Sequence, residues 1–337
     1  MTGLGRALRG EWYAWTRRRS VRLAVAFVFG VGALRVVLAR VTAGMFGSDG
    51  AAHANFWPRF AQGSRDGILL AELLALVILA GALPREVGLG AARDPLTRRV
   101  SRSAFLMARA CAAALLPVAL AVGAVLGAWL AAAALYDGGH IVSPGFGGDA
   151  GVQAQFETWT AELGLTPAKV AEWNELAQDT TSEEAFAKLG IEPFELPSEF
   201  YDYVPFLVFR ETEVRAEVLG ALLRGIAPLV ALGLFALALS ALLAGPALAI
   251  GLAVGVVLFF GVFLAPELQD KAWWVFADWL PGMGHESPLH KAGMIADGYS
   301  DVAPTEAAAL VAGRAGAWAG SALFLILSLF AFRRKRL

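Results

Sequence analysis

The residues with most chemistry to offer lie in one basic stretch, Pro84–Arg109, where the carboxylate Glu86 is followed by Arg93, Arg98, Arg99, Arg102 and Arg109. A carboxylate among guanidiniums makes short charge-assisted hydrogen bonds and offers charged handles to a partner. A second group is scattered: Arg35, Arg40, Glu72, Arg224 and Arg314 sit inside or at the edge of otherwise apolar blocks. There a charge costs at least ~2.5 kcal/mol unless it snorkels or finds a partner. The four histidines are His53, His140, His285 and His290. His285 and His290 are wrongly spaced for one helix face. With Met283 and Met294 they allow a copper-handling reading beside the simpler one of solvated loop side chains. The single cysteine, Cys111, excludes an internal disulfide and a cysteine metal cluster. No GxxxxGK[ST] loop occurs, so ATP hydrolysis is not expected in this chain, and HExxH, GxSxG and CxxC are absent too.

The chain that positions these residues has the composition of a membrane protein. It is 57% hydrophobic and only 17% charged over 337 residues, with a mean hydropathy of +0.59. Soluble domains are nearer one-quarter charged. The net charge of -1 gives no reason to expect a nucleic-acid partner. The prevalence of Leu, Ala, Gly and Arg suits a GC-rich bacterial genome.

Six apolar blocks stand out: Val21–Val41, Gly67–Pro84, Ala104–Tyr136, Val218–Leu243, Pro246–Ala265 and Ala308–Phe332. Each is near the ~20 residues that a helix needs to cross a bilayer. Lipid offers no partner to an open backbone, so helices are expected. The expected fold is all-α: a polytopic membrane protein of about six transmembrane helices with a small helical extracytoplasmic cap.

Basic residues set the expected orientation. The start carries Arg6, Arg9, Arg17, Arg18, Arg19 and Arg22; the loop after block two carries Arg85, Arg93, Arg98, Arg99 and Arg102; the tail carries Arg333, Arg334, Lys335 and Arg336. These three segments hold fifteen of the 28 basic residues. With six spans they share one side, and the positive-inside rule places both termini in the cytoplasm of a bacterial inner membrane. A signal peptide is the weaker reading of the start, because Arg35 breaks the apolar core and Trp12, Tyr13 and Trp15 crowd the basic region. Leu4–Arg18 reads instead as an amphipathic interfacial helix anchored by those aromatics.

Three parts follow. Residues 1–136 hold the interfacial helix and spans one to three, with a cytoplasmic coupling loop at 84–103. Residues 137–215 are acidic and Gly-rich at their start, with helix starts at Thr166-Pro167 and Ser182-Glu183, and form the cap. Residues 216–337 hold spans four to six, with an outer re-entrant hairpin at 266–306 carrying Trp273, Trp274, Phe276, Trp279 and Leu280.

The loop after block two resembles that of the type-2 ABC exporter permeases, which reads roughly E-x-x-x-G-(x)8-P-V-S-R-(x)6-K. Glu86, Gly90, Val100-Ser101-Arg102 and Arg109 fall at those intervals, with Arg99 where the family has proline. A second register through Pro95-Leu96-Thr97-Arg98 restores the proline and shortens the distance from Gly90; the first also places Arg109. An interfacial helix with Glu11 before span one and a tryptophan-rich hairpin with Leu280-Pro281 before the last span belong to the same plan. The long cap departs from most of the family.

The resemblance implies a permease subunit, paired with a second permease subunit, that grips a separate cytoplasmic ATP-binding subunit through Glu86, Gly90, Arg99, Ser101, Arg102 and Arg109. ATP and Mg belong to that partner, and no cofactor is expected in this chain. A rival reading is a structural or force-transmitting complex whose cap binds a periplasmic partner. A membrane-embedded enzyme ranks third, because no ionisable group is expected at mid-membrane. Arg35, Glu72, Arg224 and Arg314 are expected near the outer leaflet, either snorkelling to membrane lipid or lining a vestibule. Arg35 and Glu72 are expected to form a salt bridge there.

Overall fold

The computed structural model describes residues 3–46, 55–89, 101–139, 141–142, 207–264, 275–284, 287–298 and 307–334, with isolated positions between them. Among the described residues, five helices are long and apolar enough to cross a membrane: Arg19–Thr42, Phe56–Gly88, Arg102–Leu135, Glu211–Leu242 and Ala307–Arg334. The fold is thus that of a helical membrane protein. In chain order the elements are α1 (Gly3–Arg17), α2 (Arg19–Phe46), α3 (Phe56–Ala80), α4 (Ala82–Gly88) and α5 (Arg102–Leu135). After them come β1 (Ile141–Val142), β2 (Leu207–Phe209), α6 (Glu211–Arg224), α7 (Ile226–Leu242) and α8 (Pro246–Leu258). The last part holds a π-wound stretch Phe259–Leu264, a 3-10 turn Phe276–Trp279, α9 (Pro288–Ala296) and α10 (Ala307–Arg334).

Small residues set how closely these helices approach. Oil-like side chains gain nothing by leaving lipid for one another, so membrane helices associate through close backbone packing. A Cβ on Gly127 of α5 would lie 2.1 Å from the Phe29 carbonyl oxygen of α2. One on Gly233 of α7 would lie 2.0 Å from the Ala113 oxygen of α5. Ala113 lies four residues before Pro117, which has no N–H to give its carbonyl, and the backbone of α7 packs over that gap. Gly233→Val is therefore expected to lower stability by about 1–3 kcal/mol, the usual toll of overpacking. Thermal unfolding of the detergent-solubilised protein measures this, and an unchanged midpoint refutes the close approach.

Antiparallel pairing of α3 with α5 creates two ends. At the distal end Phe56 N–H donates to the Asp137 carbonyl at 3.0 Å, and the Asn55 side chain donates to Gly139 O at 2.8 Å. The strand pair β1–β2 lies just beyond, where the chain leaves α5 and enters α6, an element absent from the all-α expectation. At the basal end α1 packs across α5, and the Phe105 and Phe332 rings stack at 5.8 Å where α10 finishes.

Several expected boundaries shift. The second block reads from Gly67, yet α3 starts at Phe56 with Asn55 as its N-cap, because Arg59, Gln62, Arg65 and Asp66 continue the helix beyond its apolar part. The expected cap runs to Arg215, whereas α6 already begins at Glu211. The fifth block is a short apolar helix followed by π winding. Most of the expected cap, and Trp273 and Trp274 of the hairpin, lie outside the described residues.

Candidate functional site

A ring of charges and one indole closes the basal end. Its construction starts at Gly81, where the helix of block two bends. Leu83 N–H, just past the bend, donates to the buried Ser240 hydroxyl of α7 at 3.0 Å. That bond anchors α4 and aims Glu86 inward. Ser101 caps α5 by accepting from Ala104 N at 3.2 Å, and Arg109 follows two turns later, 4% exposed. On α1, Glu11 and Trp15 lie one turn apart on the buried face. Arg18 occupies the break between α1 and α2.

The contacts join end to end. Arg109 Nε donates to both Glu11 oxygens at 3.3 and 3.4 Å, while Arg109 Nη2 donates to Glu86 Oε2. Arg18 Nη2 donates to the other Glu86 oxygen. Trp15 Nε1 donates to Glu11 Oε2 at 3.1 Å, and the Arg18 guanidinium lies 5.3 Å from the Trp15 ring centre. Two carboxylates meet two guanidiniums, so the ring is neutral and its charges satisfy one another. Arg109 Nε and Nη2 carry these contacts, while its buried Nη1 has no hydrogen-bond partner among the described residues. Buried ion pairs depend on such hydrogen bonds to offset desolvation. Chemically the ring is a joint: it ties α1, the α1–α2 break, α4 and α5 into one body.

Beside the joint lies an open cleft of about 260 Å³ between the start of α5 and the end of α10, lined by Arg102, Ser103, Leu106, Leu329, Phe332 and Arg333. Arg102 and Arg333 are exposed, and neither has a hydrogen bond or ion pair among the described residues. The basal surface therefore presents two unpaired guanidiniums next to a rigid charged core.

Of the residues singled out in the loop, Glu86 and Arg109 come into direct contact, Ser101 caps α5, and Arg102 lines the cleft. Gly90 and Arg99 lie outside the described residues. Trp15 is a correction: Trp12 and Tyr13 are exposed as interfacial anchors should be, but Trp15 is buried in the ring. Sequence reasoning missed Trp15 and Arg18 as ring members. The one-turn spacing of Glu11 and Trp15 was the available signal.

The Arg35–Glu72 salt bridge does not form. Arg35 Nε instead pairs with Asp66 Oδ2 at 2.9 Å, and Glu72, fully buried, accepts backbone N–H groups from Gly282 at 2.8 Å and Met283 at 2.9 Å. The reason is register. Gly67 abuts Gly32 and Gly63 abuts Val36, so Arg35 lies level with the residues around 64 of the antiparallel α3. Glu72 lies roughly two turns, ~12 Å, further along. It is also well inside α3, where no ionisable group was expected. Arg224 pairs with Glu217 at 2.7 Å, and Arg224 and Arg314 meet at a narrow crevice beside Trp279. No group of three metal-ligating side chains occurs among the described residues.

No protein-family model matches the sequence, and no curated protein matches it.

Proposed function

We propose that the chain is the membrane-spanning permease subunit of an ATP-driven transporter of the type-2 ABC exporter kind. It pairs with a second permease subunit and with cytoplasmic ATP-binding subunits that hold ATP and Mg. The observation that carries this is the Glu11–Arg109–Glu86–Arg18 joint with the open Arg102–Arg333 cleft beside it. A subunit that converts closure of a separate ATPase into helix motion needs a stiff element and exposed charges to grip. The joint supplies the first by fusing α1, α4 and α5. The cleft supplies the second, and basic rim charges steer acidic partners. The membrane is the bacterial inner membrane, with both termini cytoplasmic as the distribution of Arg and Lys requires. Pro246–Leu264 serves as the short sixth span, and the segment between α5 and the start of α6 at Glu211 is an extracytoplasmic cap.

The test is purification of the tagged full-length chain from its native membranes. The expected outcome is recovery of an ATP-hydrolysing complex, with no hydrolysis by the chain alone. The double change Arg102→Gln and Arg333→Gln should leave the unfolding midpoint unchanged and lower recovered hydrolysis by about tenfold. A chain that purifies with no ATP-binding subunit, or a double variant that recovers full activity, refutes the reading.

A further inference from the structure

The distal end carries a second polar site. A cleft of about 210 Å³ opens between α2, α3 and α9, with Arg35, Gln62, Arg65, Asp66, His290 and Asp297 in its wall. Most of these groups already hold one another. Arg35 pairs with Asp66, while Gln62 accepts from Arg59 Nη1 at 3.1 Å and donates to the two Asp297 oxygens at 3.2 and 2.9 Å. Two charges are incompletely answered. Arg65 makes no hydrogen bond or ion pair among the described residues, and Glu72, two turns along α3, is already engaged by Gly282 and Met283. Asp297 receives the neutral Gln62 amide, and no cation pairs with it among the described residues.

An unfilled guanidinium and an unneutralised carboxylate facing one cleft fit a zwitterion. Arginine's planar fork matches phosphate oxygens, and Arg35, half-exposed at the rim, has further N–H groups to add. Asp297 would take an ammonium. The surroundings say what carries this headgroup. Leu34 and Leu38 flank Arg35 on α2, and Leu69 follows Arg65 by one turn on α3; they are 53%, 46% and 37% exposed. Polar wall and bare apolar helix surface therefore adjoin within a turn, as an amphiphile with a charged head and a hydrocarbon tail requires.

We propose that this cleft binds the phosphoethanolamine headgroup of a membrane phospholipid, with Arg65 and Arg35 on the phosphate and Asp297 on the ammonium. The inference rests on the chain lying in a membrane and is independent of any ATP-binding partner. Bound headgroup bridges α3 to α9, so it stabilises the folded protein.

The experiment titrates the purified, delipidated full-length protein in detergent with dioleoyl phosphatidylethanolamine and follows the unfolding midpoint. The expected result is a saturable upward shift that dioleoylglycerol, with the same tails, and soluble phosphoethanolamine, with the same head, do not reproduce. An equal shift with dioleoylglycerol overturns the headgroup site, and an equal shift with soluble phosphoethanolamine overturns the lipid as ligand. These comparisons need only the unaltered protein. Arg65→Gln should weaken lipid affinity by about tenfold or more, the worth of one charge-assisted hydrogen bond. Asp297→Asn should remove the preference for phosphatidylethanolamine over phosphatidylglycerol. Folded variants that bind like the original chain overturn the assignment.

Discussion

Replacing Arg109 with alanine destabilises the protein by about 3–5 kcal/mol, the cost of removing one member of a buried ion-pair network. The side chain is 4% exposed, and both of its partners, Glu11 and Glu86, are mostly buried, with side-chain exposures of 10% and 17%. Alanine leaves two carboxylates facing each other with Arg18 as their remaining cation. An interhelical hydrogen bond in a membrane protein averages only ~0.6 kcal/mol, so a loss several times larger marks a charge network rather than one contact. The triple change Glu11→Gln, Glu86→Gln and Arg109→Met removes the three buried charges together and leaves only Arg18, whose side chain is 32% exposed, without its carboxylate, so it should recover most of the loss. Denaturation midpoints in detergent measure both. A single variant as stable as the parent, or a triple variant worse than the single, contradicts the account. The same reasoning makes Glu86 a poor probe of partner coupling, since its loss damages the joint itself. Arg102 and Arg333, exposed beside the joint, are the cleaner pair.

Glu72→Ala should cost about 3 kcal/mol, from two backbone N–H groups left without an acceptor in a buried setting. Glu72 holds the turn after the 3-10 element to the middle of α3, and through that turn places Trp279, Leu280 and α9. Glu72→Gln should fall between the two, since one carboxamide oxygen remains and the amide nitrogen faces a donor. Gly282→Ala tests the same seam from the other side. A Cβ there would lie 2.3 Å from Leu69 N and 2.8 Å from Glu72 Oε2, too close for either helix or carboxylate to stay in place. Limited proteolysis between residues 275 and 298 and the unfolding midpoint report on the seam. Wild-type protection and stability in Glu72→Ala would show that the carboxylate is not what holds it.

Much of the architecture was legible in the chain because lipid reduces the options. A long apolar run has to satisfy its backbone internally, so the blocks read as helices, and α2, α5 and α10 lie close to where composition places them. Glu86 and Arg109 were legible as notable residues because they flank one basic loop, but as handles for a partner; that they pair with each other came only from the structure. What composition could not supply was the polar continuation of helices and their rotation. Arg59, Gln62, Arg65 and Asp66 carry α3 back to Phe56, and counting from the apolar edge at Gly67 therefore misjudged the depth of Glu72. The register of α2 on α3 is decided by Gly32, Gly63 and Gly67 meeting at backbone distance, and that contact delivers Arg35 to Asp66. Likewise, Glu11 and Arg18 count in sequence as residues of an interfacial, positively charged start. Only the folding of α1 across α5 turns them into partners of Arg109 and Glu86, because a charge takes its meaning from what lies within about 4 Å of it, and that neighbourhood is set by packing.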